Sequence, residues 1–200
     1  MQQRDKINKK IISNNLIGLD APTEIISYLQ GLDNNVFTID LSGMNAQHLS
    51  TIDIAELSFD DRIMVAKNPN TPIECLIQLA DSNNRYIVEA VAENPNTPIK
   101  ILNSLANSYY DNVRAAVAKN SKSSAEILAK LSVDQSSSVR RQVARNENTS
   151  IEILRTLSKD ISSDVKDEAI INIWRIEKDH KIKESLFNRM NYFYKLAVYK

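Results

Sequence analysis

Asparagine recurs every 26 residues, at Asn68, Asn94, Asn120, Asn146 and Asn172. Ala66, Ala92, Ala118 and Ala144 keep the same period, with Ile170 closing the series. Leu76, Leu102, Leu128 and Leu154 form a third column, and Leu79, Leu105, Leu131 and Leu157 a fourth. Chance does not produce four columns in one register. A unit of this size cannot bury an apolar face alone, so its neighbours must stack on it. The chain is therefore expected to be an all-α solenoid of two-helix repeats.

Each unit reads as two short helices. The first opens at Asn-Pro-Asn-Thr-Pro-Ile-Glu, residues 68–74. Thr71 is expected as its N-cap, Pro72 as its first helical residue and Glu74 as the partner in a capping box. Ser123 with Glu126, and Thr149 with Glu152, repeat that register. Thr97 and Pro98 keep the cap and the proline, but Lys100 replaces the acid, which weakens that helix start. Ile73, Leu76, Leu79 and Ala80 then fall at helical spacing, matched by Ile99, Leu102, Leu105 and Ala106. Cys75 shares a column with Ile101, Ile127 and Ile153 and is expected to be a small buried hydrophobe. The second helix carries Val91, Val117 and Val143 beside the alanines, whose size lets neighbours approach closely. For the recurrent Asn two structural roles fit: a left-handed C-cap, or a ladder of side chains running between copies.

The repeat fades at both ends, which divides the chain into three. Residues 1–60 are degenerate N-terminal repeats or a cap, 61–172 the regular array, and 173–200 a C-terminal capping helical segment. Ala21–Leu29 matches a first helix, residues 50–58 a degenerate one, and 36–43 a distorted second helix or an extended connector. Residues 174–200 hold half of the aromatic residues. As a cap they would cover the last apolar face. The sharper alternative is that Tyr192, Phe193, Tyr194 and Tyr199 face outward and form a partner surface.

Composition excludes more than it assigns. Formal net charge is zero, so nothing global calls for nucleic acid or acidic lipid. Charge is nevertheless uneven: residues 1–60 hold 4 Lys/Arg against 8 Asp/Glu, and residues 173–200 hold 7 against 3. The opening residues are too polar for a signal peptide, and no run approaches the roughly 18 apolar residues of a membrane span. A single cysteine rules out an internal disulfide and any cysteine-based metal site. A cytoplasmic protein without membrane partners is the expectation.

The pattern VRxxVAxNxxTxxExLxxLxxD is best displayed by residues 139–160 and closely followed by 113–134 and 87–107. It resembles the variant leucine-rich repeat, a relative of HEAT-like helical repeats, over about residues 61–172. The resemblance implies a right-handed superhelix whose second helix is partly 3₁₀. Some members hold an iron–sulfur centre in an N-terminal cysteine cluster. This chain has no such cluster, so no cofactor is carried over.

No catalytic constellation stands out. His48 and His180 lie far apart without companions at metal-ligand spacing, and there is no nucleophile elbow, Walker motif or dinucleotide fingerprint. Neither catalytic nor metal residues are expected. Glu74, Glu126 and Glu152 are expected as caps, and Asp81, Asp134 and Asp160 as turn residues. The basic columns leave two readings. Arg62, Arg114, Arg140 and Lys166 share a position interrupted by Val88, and Lys67, Lys119 and Arg145 one interrupted by Glu93. Arg114 and Arg140 fit ion pairs with Asp111, Asp134 or Asp160. Alternatively, Arg62, Arg114, Arg140, Arg141, Arg145 and Lys166 would contact nucleic-acid phosphates. The function expected first is non-catalytic protein binding along a curved scaffold, with a partner the sequence does not name; a phosphate-contacting solenoid comes second.

Overall fold

The computed structural model describes residues 45–50, 52–178 and 181. Among these residues the chain is all-α. Its elements are α1 (Ala46–Leu49), one 3₁₀ turn (Ile54–Glu56), α2 (Phe59–Lys67), α3 (Ile73–Ala80), α4 (Arg85–Glu93) and α5 (Ile99–Leu105). They continue with α6 (Asp111–Lys119), α7 (Ala125–Leu131), α8 (Ser137–Arg145) and α9 (Ile151–Leu157). Residues 163–178 are helical as well. The expectations for Ala21–Leu29, for 36–43, for His180 and for Tyr192, Phe193, Tyr194 and Tyr199 lie outside the described residues. The degenerate first helix expected over 50–58 is the single 3₁₀ turn, capped by the Asp53 carboxylate, which accepts from the Ala55 amide.

The leucine columns of the first helices and the Val-Ala pairs of the second make one core. Leu76, Leu102, Leu128 and Leu154 are fully buried, and so are Ala66, Ala92, Ala118 and Ala144. Each such leucine withdrawn from water contributes about 1.5–3 kcal/mol. The alanines let α4 pack directly on α2, α6 on α4 and α8 on α6, whereas α3, α5, α7 and α9 lie mainly against the second helices. Cys75 is buried as expected, with its thiol directed at the Leu49 carbonyl; burial pushes that thiol's pKa up. Ile73 and Ile99 correct the core expectation: they are 49% and 54% exposed. Each heads its helix, off the stripe set in α3 by Cys75, Leu76 and Leu79 and in α5 by Leu102 and Leu105.

Two local expectations are also revised. The hydroxyls of Thr71, Thr97, Ser123 and Thr149 do not cap the helix ahead of them. They turn back and donate to Val65, Val91, Val117 and Val143 O at 2.5, 2.5, 2.5 and 2.6 Å. Those carbonyls belong to the last turn of the preceding helix, where i+4 partners run out and burial makes an unpaired acceptor costly. The caps sit one residue later. Ser124 and Ser150 accept from the Ile127 and Ile153 amides, while Pro72 and Pro98 supply only a fixed φ. Glu126 and Glu152 still sit in the first turn, and their carboxyls are held below the ordinary value, Glu126 chiefly by the Ser124 hydroxyl and Glu152 chiefly by its own amide. The second helices are α-helical, not 3₁₀. Their final turn tightens, where the Asn68, Asn120 and Asn146 amides are shared between i−4 and i−3 carbonyls.

Candidate interaction surface

The recurrent asparagines do both jobs that their spacing allowed, though not in the left-handed conformation. Asn68, Asn94, Asn120 and Asn146 end their helices at φ near −68° and ψ of 122–128°, which is extended backbone. The carbonyls of these four residues accept from the amides three residues on, at Thr71, Thr97, Ser123 and Thr149, closing a β-turn. In all four turns the side-chain oxygen also accepts from the amide two residues on, at Asn70, Asn96, Lys122 and Asn148. The side-chain nitrogen reaches backward across the packing interface. Asn94 Nδ2 donates to Ala66 O and Asn68 O at 2.6 and 2.8 Å. Asn120 donates to Ala92 O and Asn94 O at 2.8 and 3.0 Å, and Asn146 to Ala118 O and Asn120 O at 2.7 and 3.1 Å. Asn172 repeats the contact with Ala144 O and Asn146 O from within a helix that does not end there. Each contact therefore occupies a helix-end carbonyl of the preceding copy.

The basic columns are largely claimed by carboxylates. Arg114 grips Asp134 with two parallel hydrogen bonds, Nε to Oδ2 at 2.7 Å and Nη2 to Oδ1 at 2.9 Å, and its Nη1 donates to Ser108 O and Tyr109 O. Arg140 does the same with Asp160, and with Asp134 O and Gln135 O. These side chains are only 9–17% exposed. The fork-on-carboxylate geometry explains why arginine stands here. Burial pushes the Asp134 carboxyl up, but the Arg114 and Ser136 hydrogen bonds and the charges of Arg114 and Arg140 outweigh it and hold it below its ordinary value. Arg140 holds Asp160 down in the same way. Both guanidinium pKa values rise through their carboxylate bonds.

Where the sequence interrupts a column, the pairing is interrupted too. Val88 takes the arginine's place where Ser108 takes the aspartate's. Arg62 keeps the arginine but faces Ser82 in the register of Asp134 and Asp160. Its Nη2 donates to Ala55 O at 2.9 Å, and its buried Nε has no hydrogen-bond partner. Arg141 pairs with Glu168 at 3.1 Å and more loosely with Asp164, Arg145 meets Glu168 at 3.7 Å, and Lys119 meets Glu93 at 3.3 Å. Lys166 is partly buried. Of the six cations considered for phosphate contact, Arg114 and Arg140 are buried against carboxylates, which argues weakly against an exposed basic column, while Arg141 and Arg145 stay 41% and 53% exposed.

Sequence reasoning passed over an aromatic group at the leading ends of the second helices. Phe59 and Tyr86 meet edge to face at 6.4 Å, and Tyr109 and Tyr110 at 5.6 Å. The Arg85 guanidinium lies 4.6 Å from the Tyr86 ring centre and donates to a phenol oxygen, that of Tyr86, at 2.6 Å. The signal was available as rings standing where neighbouring copies carry polar residues, but a search for what recurs discards what departs.

Among the described residues no group of three or more His, Cys, Asp or Glu is placed to hold a metal ion. No helix there is long and apolar enough to cross a membrane. No family model, no curated protein and no solved structure matches the chain.

Proposed function

We propose that the chain is a right-handed α-solenoid of 26-residue, two-helix units, akin to the variant leucine-rich repeat, and that it acts as a non-catalytic scaffold binding a partner protein along its surface. The observation that carries this reading is the asparagine seam. It holds successive second helices side by side through hydrogen bonds between copies, and an array built so offers an extended, preorganised face. The clamps of Arg114 and Arg140 support it, because they spend the most conspicuous charges on internal cohesion.

The second reading, phosphate contact, draws on Arg141 and Arg145, whose side chains remain 41% and 53% exposed despite their acidic partners. A pull-down from native lysate, with and without nuclease, separates the two. A stoichiometric protein that survives nuclease supports the scaffold. Nucleic acid that is recovered, released by salt and lost in an Arg141→Gln/Arg145→Gln variant overturns it.

A further inference from the structure

The repeat carries its own control for what the fold requires at each position. The first residue of a second helix is Phe59, Arg85, Asp111 or Ser137, and the second is Asp60, Tyr86, Asn112 or Ser138. Tyr109 and Tyr110 stand where the neighbouring copies have Asn83-Asn84 and Gln135-Ser136. None of these places needs a ring for the helices to form. Yet four rings collect at the same end of α2, α4 and α6, and all are exposed: Phe59 44%, Tyr86 49%, Tyr109 92% and Tyr110 39%.

The backbone beneath them is held firmly. Arg114 pins Ser108 O and Tyr109 O while gripping Asp134, and the Tyr110 amide donates to the Ser108 hydroxyl. A large ring on a fixed backbone loses little freedom when a partner covers it, which is what an anchoring residue needs.

The segment that carries the rings is mainly acidic. Residues 45–112 hold 9 Asp/Glu against 4 Lys/Arg, whereas residues 113–178 hold 9 against 12. Asp60 and Asp111 directly follow Phe59 and Tyr110 and are exposed. Of the cations beside the rings, Arg85 is already laid on Tyr86, and Arg114, which reaches Tyr109 O, is paired with Asp134.

We propose that this aromatic ridge docks an extended peptide segment of another protein that bears Lys or Arg side chains. Cations of the segment lie on the tyrosine faces, as Arg85 does on Tyr86 within the chain. Asp60 and Asp111 complement their charge and set their register. The proposal rests on the scaffold reading and narrows it to a place and a chemistry.

The test is a selection of random dodecapeptides displayed on phage against the intact chain, followed by fluorescence polarisation with the synthetic winners. A ridge variant carries Phe59→Ser, Tyr86→Ser, Tyr109→Gln and Tyr110→Ser, residues that the array itself uses at these positions, so its circular dichroism and thermal midpoint serve as the folding check. A second variant, Asp60→Asn, leaves every ring in place. The expected result is a set of winners rich in Lys and Arg, weakened at least about tenfold by the ridge variant, less by Asp60→Asn, and progressively by salt. Winners that are neutral or acidic, or that bind the ridge variant equally well, overturn the ridge while leaving a protein-binding scaffold standing. No winners together with a salt-sensitive shift of DNA overturn both. A dimer in light scattering that dissociates in the ridge variant overturns the proposed occupant, since a second copy then covers the ridge.

Discussion

Replacing Asn120 tests the seam most directly. Its side chain is 5% exposed and makes three kinds of contact: Nδ2 to Ala92 O at 2.8 Å, Nδ2 to Asn94 O at 3.0 Å, and Oδ1 from the Lys122 amide at 2.9 Å. Asn120→Ala removes all three. Asn94 O keeps the Thr97 amide, and the Lys122 amide turns to water, but Ala92 O lies at a buried helix end. At about 0.5–1.5 kcal/mol for each neutral bond, and more for a buried acceptor left unpaired, the loss comes to about 2–3 kcal/mol. For a chain of this length that corresponds to a thermal midpoint lower by roughly 4–12 °C.

Asn120→Asp keeps the shape but sets a carboxylate against two carbonyl oxygens, so at neutral pH it should cost more than alanine does. Burial and those carbonyls raise the new group's pKa in the folded state above the unfolded value of about 3.9. Its deficit relative to the native chain is then smallest below the unfolded pKa and grows as pH rises through the folded one. Urea titrations of the native chain and both variants, followed by circular dichroism and Trp174 fluorescence, read these differences. A loss below about 0.5 kcal/mol for Asn120→Ala, the range of ordinary surface changes, would refute the claim that the seam holds the copies together.

Three further outcomes follow from the same contacts. A double-mutant cycle on Arg140→Gln and Asp160→Asn should return a coupling of about 1–3 kcal/mol. Because Asp160 has a depressed folded pKa, that coupling is present above the unfolded value of about 3.9 and disappears as pH falls through the folded one; a coupling that persists in acid contradicts the ion pair. Ser82→Asp should complete the clamp that Arg62 lacks and raise stability by about 1 kcal/mol, an unchanged urea midpoint showing instead that Arg62 is content with Ala55 O. Cys75, buried and with a raised thiol pKa, should react with Ellman's reagent only as the chain unfolds, and prompt labelling under native conditions would contradict its place in the core.

What the sequence made legible was whatever the repeat enforces. The leucine and alanine columns located the core, and Cys75 fell where its column put it. The ion pairs of Arg114 and Arg140 with Asp134 and Asp160 were foreseeable because both partners recur in step. Thr71, Ser123 and Thr149 misled because a hydroxyl three residues before an acid satisfies a capping rule as well as it satisfies a buried carbonyl six residues behind it. Local spacing records no burial, and burial decides the competition. Ile73 and Ile99 misled for a related reason: helical periodicity marks a stripe but not its edge. The ridge of Phe59, Tyr86, Tyr109 and Tyr110 was invisible to a reading by columns, since its members occupy four different register positions and meet only once the helices are packed.

The direction of the asparagine bonds bears on how such a chain comes to be folded. Each donor lies 26 or 28 residues downstream of its acceptors. Because synthesis runs from the N-terminus, each of these amide donors is made after the carbonyls that it binds. The loop that each contact closes has the same short length, so its entropic cost is the same from one contact to the next. The arginine clamps point the other way, each waiting for a carboxylate 20 residues still to come. The asparagine bonds thus reach back to acceptors already made and the clamps of Arg114 and Arg140 reach forward, and both kinds join only segments that neighbour each other along the chain.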